Sequence, residues 1–343
     1  MSDRQVIATE LLKGQGLGNQ LFCYVTTRCL VMQKHCEFAI LNREILANNI
    51  HSNKGMYFMD IDCGLDMKKE EFSEIYQEKE DRIYLGNSMH DIEHGCYISG
   101  ADEKLLNLNQ SILVYGNMQD EAYFGQYKEE IKQWLKVKPE FDNYEYSRDN
   151  LCIINIRGGE YTSNPELFLR RKYWLDAMKV MRQKRSDMEF MVITDDLSAA
   201  RRILPEVPAY HFDLAGDYTV IKNAKYLILS NSTFAFFPAY TSETVQYIIA
   251  PKYWARHNVS DGYWASEQNI YDEFIYMDRK GKLFTAAECR EELAAYKQSS
   301  NRYQKVGIKL SGIRLLTAKC HAKYLICGDL FVRALRSVKR RIS

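Results

Sequence analysis

The chain has 343 residues, 46% of them hydrophobic and 27% charged, with 46 Lys and Arg against 45 Asp and Glu. This is an ordinary globular composition, long enough for one large or two ordinary domains, and no run of it is apolar enough to span a bilayer. The charge is split, because residues 301–343 carry eleven Lys and Arg and a single acid, Asp329, leaving 35 basic and 44 acidic residues in the body. An acidic body excludes a nucleic-acid surface, whereas the basic tail calls for an acidic partner, best met by an anionic membrane surface.

Nine cysteines stand at positions 23, 29, 36, 63, 96, 152, 289, 320 and 327, odd in number and without a Cys-x-x-Cys pair. Such usage fits buried thiols in a reducing compartment and excludes a disulfide framework. The first residues lead straight into a strand-like run with no leader-like segment. A cytoplasmic protein is expected, peripheral on the inner face of the cell membrane.

Residues 6–12 read as a first strand, broken by Lys13-Gly-Gln-Gly-Leu-Gly-Asn-Gln20. Beyond it Leu21, Phe22, Val25, Cys29 and Met32 recur at helical spacing, so residues 14–20 form a strand-to-helix turn at the mouth of a βα unit. Glycines there let backbone N–H groups approach a ligand at a helix N-terminus. Gly14, Gly16 and Gly18 do not make the dinucleotide fingerprint: the third glycine comes too early and no acid follows at the required distance. Residues 38–120 hold short apolar runs, 83–85 and 112–115, between acidic stretches, a pattern compatible with βα units carrying long loops. Asp60-Ile-Asp62 reads as a solvated loop, with a metal-holding carboxylate pair as the alternative.

Phe124, Tyr127, Ile131, Trp134 and Leu135 make a helix stripe that ends toward Lys138-Pro139, and the polar stretch 140–150 marks a domain boundary. The second half is more regular. Strands at 152–157, 190–194, 226–229 and 246–250 each end on polar or turn-forming residues, and helical patterns around 173–181 and 198–204 alternate with them. This predicts a parallel sheet with its site at the C-terminal edge.

Three of these strand ends carry chemistry. Arg157, followed by Gly158 and Gly159, can make a bidentate, charge-assisted contact to a phosphate. Ser232 and Thr233, with the backbone N–H groups up to Phe234, form a second phosphate cradle. Asp195 or Asp196 can accept hydrogen bonds from a ribose or a base edge. Each has a plainer alternative, a salt bridge for Arg157 and helix caps for the others. Together they describe a nucleotide-diphosphate site.

The same residues resemble a known family. Gly14-Gln-Gly-Leu-Gly-Asn-Gln-Leu-Phe22 resembles the glycine-rich motif of the α1,2-fucosyltransferases, glycosyltransferase family 11, and Asn155-Ile-Arg157-Gly-Gly-Glu160-Tyr161 resembles their His-x-Arg-Arg-Gly-Asp-Tyr motif. Thr194-Asp-Asp196 is similar to their Ser-Asp-Asp. Ser230-Asn-Ser-Thr-Phe-Ala-Phe-Phe237 and Ile249-Ala-Pro-Lys-Tyr-Trp254 are similar to two further blocks, in the family's order. The resemblance implies an α/β, GT-B-like fold of two Rossmann-like domains facing each other, here residues 1–145 and 150–300, followed by a basic helical extension at 301–343. It implies GDP-fucose as the donor, held mostly by the second domain, and inversion at the anomeric carbon with no metal or other cofactor. In the family the arginine matching Arg157 grips the donor pyrophosphate, and the loop matching Gly16, Gly18, Asn19 and Gln20 sits against the donor from the other domain. The expected activity is transfer of fucose to a galactose hydroxyl, in α1,2 linkage, of a surface glycan or its precursor, lipid-linked where the tail meets a membrane. The alternatives are another nucleotide sugar or linkage, or a non-catalytic nucleotide- or glycan-binding protein with a decayed site.

Departures from the motif bear on the chemistry. Asn155 stands in place of His, Gly158 in place of the second Arg and Glu160 in place of Asp. Asn155 keeps a hydrogen bond to the donor but carries no charge. Arg170, Arg171 and Lys172 are candidates to restore it, a solvated helix start being the alternative. Glu160 is a candidate general base, as is Glu166, and a largely dissociative reaction needs none. In the tail Ile313, Leu316, Cys320, Tyr324, Cys327, Phe331, Leu335 and Val338 follow three- and four-residue steps, with most basic residues off that line. This is the pattern of an amphipathic membrane-surface helix, or of a helix packed on the body.

Overall fold

The computed structural model describes residues 5–44, 56–78, 100–108, 111–165, 167–254, 257–258 and 269–299, with some residues between 312 and 327. Among these residues the strands form two sheets, one in each half of the chain. The first has the order β2-β1-β4-β3 and is parallel throughout, with β1 at Val6–Glu10, β2 at Glu37–Leu41, β3 at Ile75–Gln77 and β4 at Ile112–Tyr115. Parallel neighbours need a crossover, and helix α1, Leu17–Lys34, supplies the one between β1 and β2. The expected first strand is therefore real, and the glycine-rich turn leads into α1 as its spacing predicted.

The second sheet has the order β11-β10-β9-β8-β5-β6-β7. Its strands are β5 Leu151–Ile156, β6 Glu189–Thr194, β7 Ala209–Tyr210, β8 Tyr226–Ile228, β9 Tyr247–Pro251, β10 Ile275–Met277 and β11 Leu283–Phe284. All pairs are parallel except the β10–β11 hairpin. All six residues of β5, Leu-Cys-Ile-Ile-Asn-Ile, are buried, which is why this strand reads as a continuous apolar run without alternation. From β5 the chain builds outward one way through β6 and β7 and the other way through β8, β9 and β10. The order reverses between β5 and β8, and open α/β sheets bind ligands in the crevice beyond such a reversal.

The expected GT-B-like arrangement is present as two α/β units whose sheets meet across one seam. The four strands expected in the second half appear within one or two residues. β7, the β10–β11 hairpin and the helices Leu214–Lys222 and Ala286–Ser299 add to them. The stretch 140–150 carries neither strand nor helix. The run at 83–85 and Cys96 lie outside the described residues. Cys23, Cys29, Cys152 and Cys289 are buried thiols, and Cys320 and Cys327 are exposed. No helix among the described residues is long and apolar enough to cross a membrane.

α1 buries most of its surface because it lies between the first sheet and the second unit. Its Phe22 stacks on Phe236 of the short helix Phe236–Tyr240 at 4.8 Å, and Phe124 and Phe237 close on the same ring. Helix Ala286–Ser299 reaches back across the seam, where Arg290 holds Glu121 of the first unit at 3.0 Å. Tyr57, also of the first unit, donates to Asp213 of the second at 2.6 Å. At the head of α1 a Cβ on Gly18 would lie 2.3 Å from the carbonyl of Thr233, whereas one on Gly16 would meet nothing within 4 Å. Gly18→Ala is therefore expected to destabilise the protein by about 1–3 kcal/mol through overpacking against a rigid backbone. Gly16→Ala should leave the thermal unfolding midpoint nearly unchanged, and a calorimetric comparison of the two variants checks this.

Candidate active site

A cleft of about 330 Å³ lies where the two units meet, walled by the β1–α1 turn on one side and by the ends of β5, β6 and β8 on the other. At its centre is Arg157, the first residue after β5. Its side chain is only 13% exposed, with Nη1 on Asp195 Oδ2 at 2.6 Å and Nη2 on Glu160 Oε1 at 2.5 Å. The guanidinium also lies 5.5 Å from the centre of the Tyr161 ring. The backbone N–H of Gly158 donates to Asp195 Oδ1 at 2.7 Å, so one carboxylate spans the arginine side chain and the next peptide. Gly159 takes a positive φ of 49° as the chain turns away, a conformation glycine adopts without a side-chain penalty.

Asn155, buried one residue before the end of β5, accepts a hydrogen bond from Ser230 Oγ at 2.9 Å and ties the ends of β5 and β8 together. Ser232 accepts from the backbone of Phe234 at 3.3 Å, closing a single turn at Thr233–Ala235. The expected cradle of N–H groups is thus partly used within its own turn, and Thr233 remains on the cleft wall. Opposite it, α1 begins at Gly16 with no side-chain cap and no acid in its first turn. Such a helix start presents unsatisfied N–H groups and the positive end of the macrodipole to the cleft. Asn19 lines this wall and accepts from Gln119 Nε2 at 3.1 Å.

The cleft brings together Gly16, Gly18, Asn19, Asn155, Arg157, Glu160, Asp195, Ser232, Thr233 and Phe234, from strand ends far apart in sequence. Two expected residues do not face it. Asp196 caps the helix Leu197–Ile203 through Ala199 N at 2.9 Å, and Gln20 is buried with Nε2 on the carbonyl of Gln15 at 2.8 Å, bracing the glycine-rich turn. Glu166 lies outside the described residues. Arg170, Arg171 and Lys172 do not line the cleft, Arg171 pairing with Glu206 and Lys172 with Asp176. Asp60 pairs with Lys138 at 3.1 Å and Asp62 lies 3.7 Å from Arg28. Among the described residues no three His, Cys, Asp or Glu side chains are grouped as metal ligands.

Sequence reasoning missed the wall made by His211, Phe212, Asp213 and Asp217. Asp217 is buried on the helix Leu214–Lys222, accepting from the backbone N–H of Phe212 at 2.9 Å and facing His211 Nδ1 at 2.7 Å. Asp213 caps that helix through Gly216 N at 2.8 Å. An Asp before Leu214, Tyr218 and Ile221 at helical spacing is the signal that could have shown it.

The sequence model of glycosyl transferase family 11 matches residues 32–278. The chain belongs to this family. Among characterised relatives, an α-1,2-colitosyltransferase of Escherichia coli is 23% identical over 265 residues, which is 70% of this chain and 89% of that protein. Solved structures with a distant likeness include the fucosyltransferase NodZ from Bradyrhizobium, 12% identical with a TM-score of 0.41 over 74% of this chain and 96% of that one. POFUT1 in complex with GDP-fucose is 9% identical with a TM-score of 0.36 over 72% and 98%.

Burial pushes the Asp217 carboxyl up to about 6, against the lowering effect of the Phe212 N–H and of His211. Between the ordinary carboxylate range and about pH 6 the folded protein holds a proton that the unfolded chain has lost. This group therefore favours folding at low pH, and the benefit is lost as pH rises through 6. At neutral pH the buried charge costs on the order of 3 kcal/mol. Asp217→Asn is expected to raise stability by about 1–3 kcal/mol at pH 7.5, with the gain narrowing toward pH 5. Unfolding midpoints of both proteins across that range check it.

Proposed function

We infer that this family 11 member transfers fucose from GDP-fucose to a galactose hydroxyl, in α1,2 linkage, on a surface glycan or its precursor. The observation that carries the reading is the fixed Arg157 guanidinium at the end of β5, facing the uncapped start of α1 across the cleft. A pyrophosphate fits between a guanidinium fork and a helix N-terminus, each supplying N–H donors to its oxygens. Breaking the sugar–phosphate bond leaves negative charge on the departing β-phosphate, and donors already in place there lower the barrier. Charge neutralisation by Arg157 and α1 stands where a metal would otherwise be needed.

Base recognition is placed at Asp217, whose carboxylate would accept from the base edge beside the Phe212 N–H and His211 that it already faces. Guanine presents two adjacent N–H donors on one edge, and a buried carboxylate is their matching acceptor. Glu160 extends from the same loop as Arg157 with its side chain 64% exposed. Once phosphate oxygens take over the guanidinium, Glu160 is released to accept the proton of the attacking hydroxyl. The colitosyltransferase relative favours a second reading in which colitose replaces fucose in the same linkage.

The tail supports a membrane partner. Ile313, Leu316 and Tyr324 are 83%, 64% and 75% exposed, and the described tail residues also include Lys319 and Lys323. Phe331, Leu335 and Val338 lie outside the described residues. An apolar stripe beside basic residues suits the headgroup region of an anionic bilayer, where the glycan-lipid acceptor would reside.

GDP and GDP-fucose are expected to raise the unfolding midpoint, and GDP-fucose to label a galactoside acceptor on a glycan array with undiminished rate in EDTA. Arg157→Lys should lower kcat/KM by about 10²–10³ with an unchanged midpoint, because an ammonium cannot reproduce the two-pronged grip. Turnover close to that of the unaltered protein would sink the assignment, and transfer from GDP-colitose alone would select the second reading. For the tail, co-sedimentation with anionic but not neutral vesicles is expected, weakened by salt and lost in Ile313→Glu/Leu316→Glu.

A further inference from the structure

We propose that Asp195 acts as a positioning residue for Arg157 and makes no contact to the nucleotide. The proposal rests on the reading of Arg157 as the pyrophosphate grip. Both partners of this carboxylate are N–H donors, the Arg157 guanidinium at 2.6 Å and the Gly158 backbone at 2.7 Å. The two donors meet different oxygens, Oδ2 and Oδ1, and only a carboxylate supplies both, since an amide would turn its own N–H groups toward one of them. The donors belong to consecutive residues, so the carboxylate closes a ring over the Arg157 side chain and the following peptide. Inside that ring the guanidinium is held in one plane.

The neighbouring glycine is part of the same device. A Cβ at Gly158 would lie 2.4 Å from the Cβ of Asp196, and one at Gly159 would lie 3.0 Å from Asp195 Oδ2. Asp196 is itself fixed as the cap of the helix Leu197–Ile203. The loop after β5 therefore rests directly on the loop after β6, and position 158 has no space for a second arginine. Asp195 also places a negative charge near the phosphate position, which opposes ground-state binding of an anion. Its benefit must then lie in orientation, which counts in the transition state.

This separates two roles by kinetics. If Asp195 positions Arg157, Asp195→Asn lowers kcat on the order of 10²-fold while the KM for the donor stays level or falls, because a repelling charge has gone. Gly158→Ala, which pushes the loop off Asp196, gives the same pattern. A rise in donor KM with kcat preserved in Asp195→Asn would overturn the proposal, since that is the signature of a lost ligand contact. A second arm needs no donor: with ¹⁵N-labelled arginine, the Arg157 guanidinium of the unaltered, ligand-free protein shows slow rotation about its Cζ–N bonds. Asp195→Asn, or Asp195→Ser should the first fold poorly, makes that rotation fast. Unchanged rotation would overturn the clamp whatever the substrate. Failure of the donor reading would instead show as absence of a GDP-induced shift in the unaltered protein, with the arginine signal still deciding the clamp.

Discussion

The start of α1 is pressed onto the backbone of Thr233 and Phe234, with Gly18 leaving no room for a methyl group. The width of the cleft depends on this contact, because the glycine-rich turn forms one wall and the strand ends of the second sheet the other. Behind it an aromatic cluster of Phe22, Phe124, Phe236, Phe237 and Tyr271 fills the seam, with Phe236 and Tyr271 only 4.1 Å apart. Interiors packed at crystal-like density do not slide continuously. The two halves of the site are thus held at a fixed spacing before any ligand enters. Arg290 on Glu121 and Tyr57 on Asp213 add polar ties across the same seam.

A cleft proposed to hold a diphosphate has an unexpected number of acids. Asp195, Asp213, Asp217 and Glu160 surround the one arginine among its described lining residues. The difficulty eases once their partners are counted. Asp195 is taken by Arg157 and the Gly158 peptide, Asp213 by Tyr57 and the Gly216 peptide, and Asp217 by His211 and the Phe212 peptide. Asp195 and Asp213, engaged in this way, act as structural acceptors. The field at the proposed phosphate position is then set by Arg157 and the start of α1, both on the cleft wall.

Much of this was legible in sequence because periodicity reports burial. The unbroken apolar run of β5 and the Leu21, Phe22, Val25 spacing of α1 identify elements whose neighbours cover them on known faces. The glycine-rich turn and Arg157 could be placed at the site because each lies at the end of such an element. β7 and β11, two residues each, are too short to show a period, and with β7 went the loop that carries His211 and leads into the helix of Asp217. Asp195 and Asp196 were indistinguishable as a pair of acids. Their roles diverge only in three dimensions, where the first turns to Arg157 and the second caps a helix.

Gly158, where the resembled motif carries a second arginine, bears on whether the site has decayed. A residue lost by drift leaves its former partners unmatched, and buried polar groups without partners are costly. Here the position is filled by a glycine whose peptide N–H is matched to Asp195 and whose missing side chain admits the Asp196 loop. Gly158, Asp195 and Asp196 are therefore mutually fitted. Asn155 shows the same fit in place of histidine, since its amide oxygen receives Ser230 and holds β5 to β8. Both positions thus have complementary contacts of their own, as a site working through a single guanidinium, the proposed reading, requires. Such a site relies on the orientation of its arginine more than on the number of its charges, which is why the carboxylate behind Arg157 matters as much as the arginine.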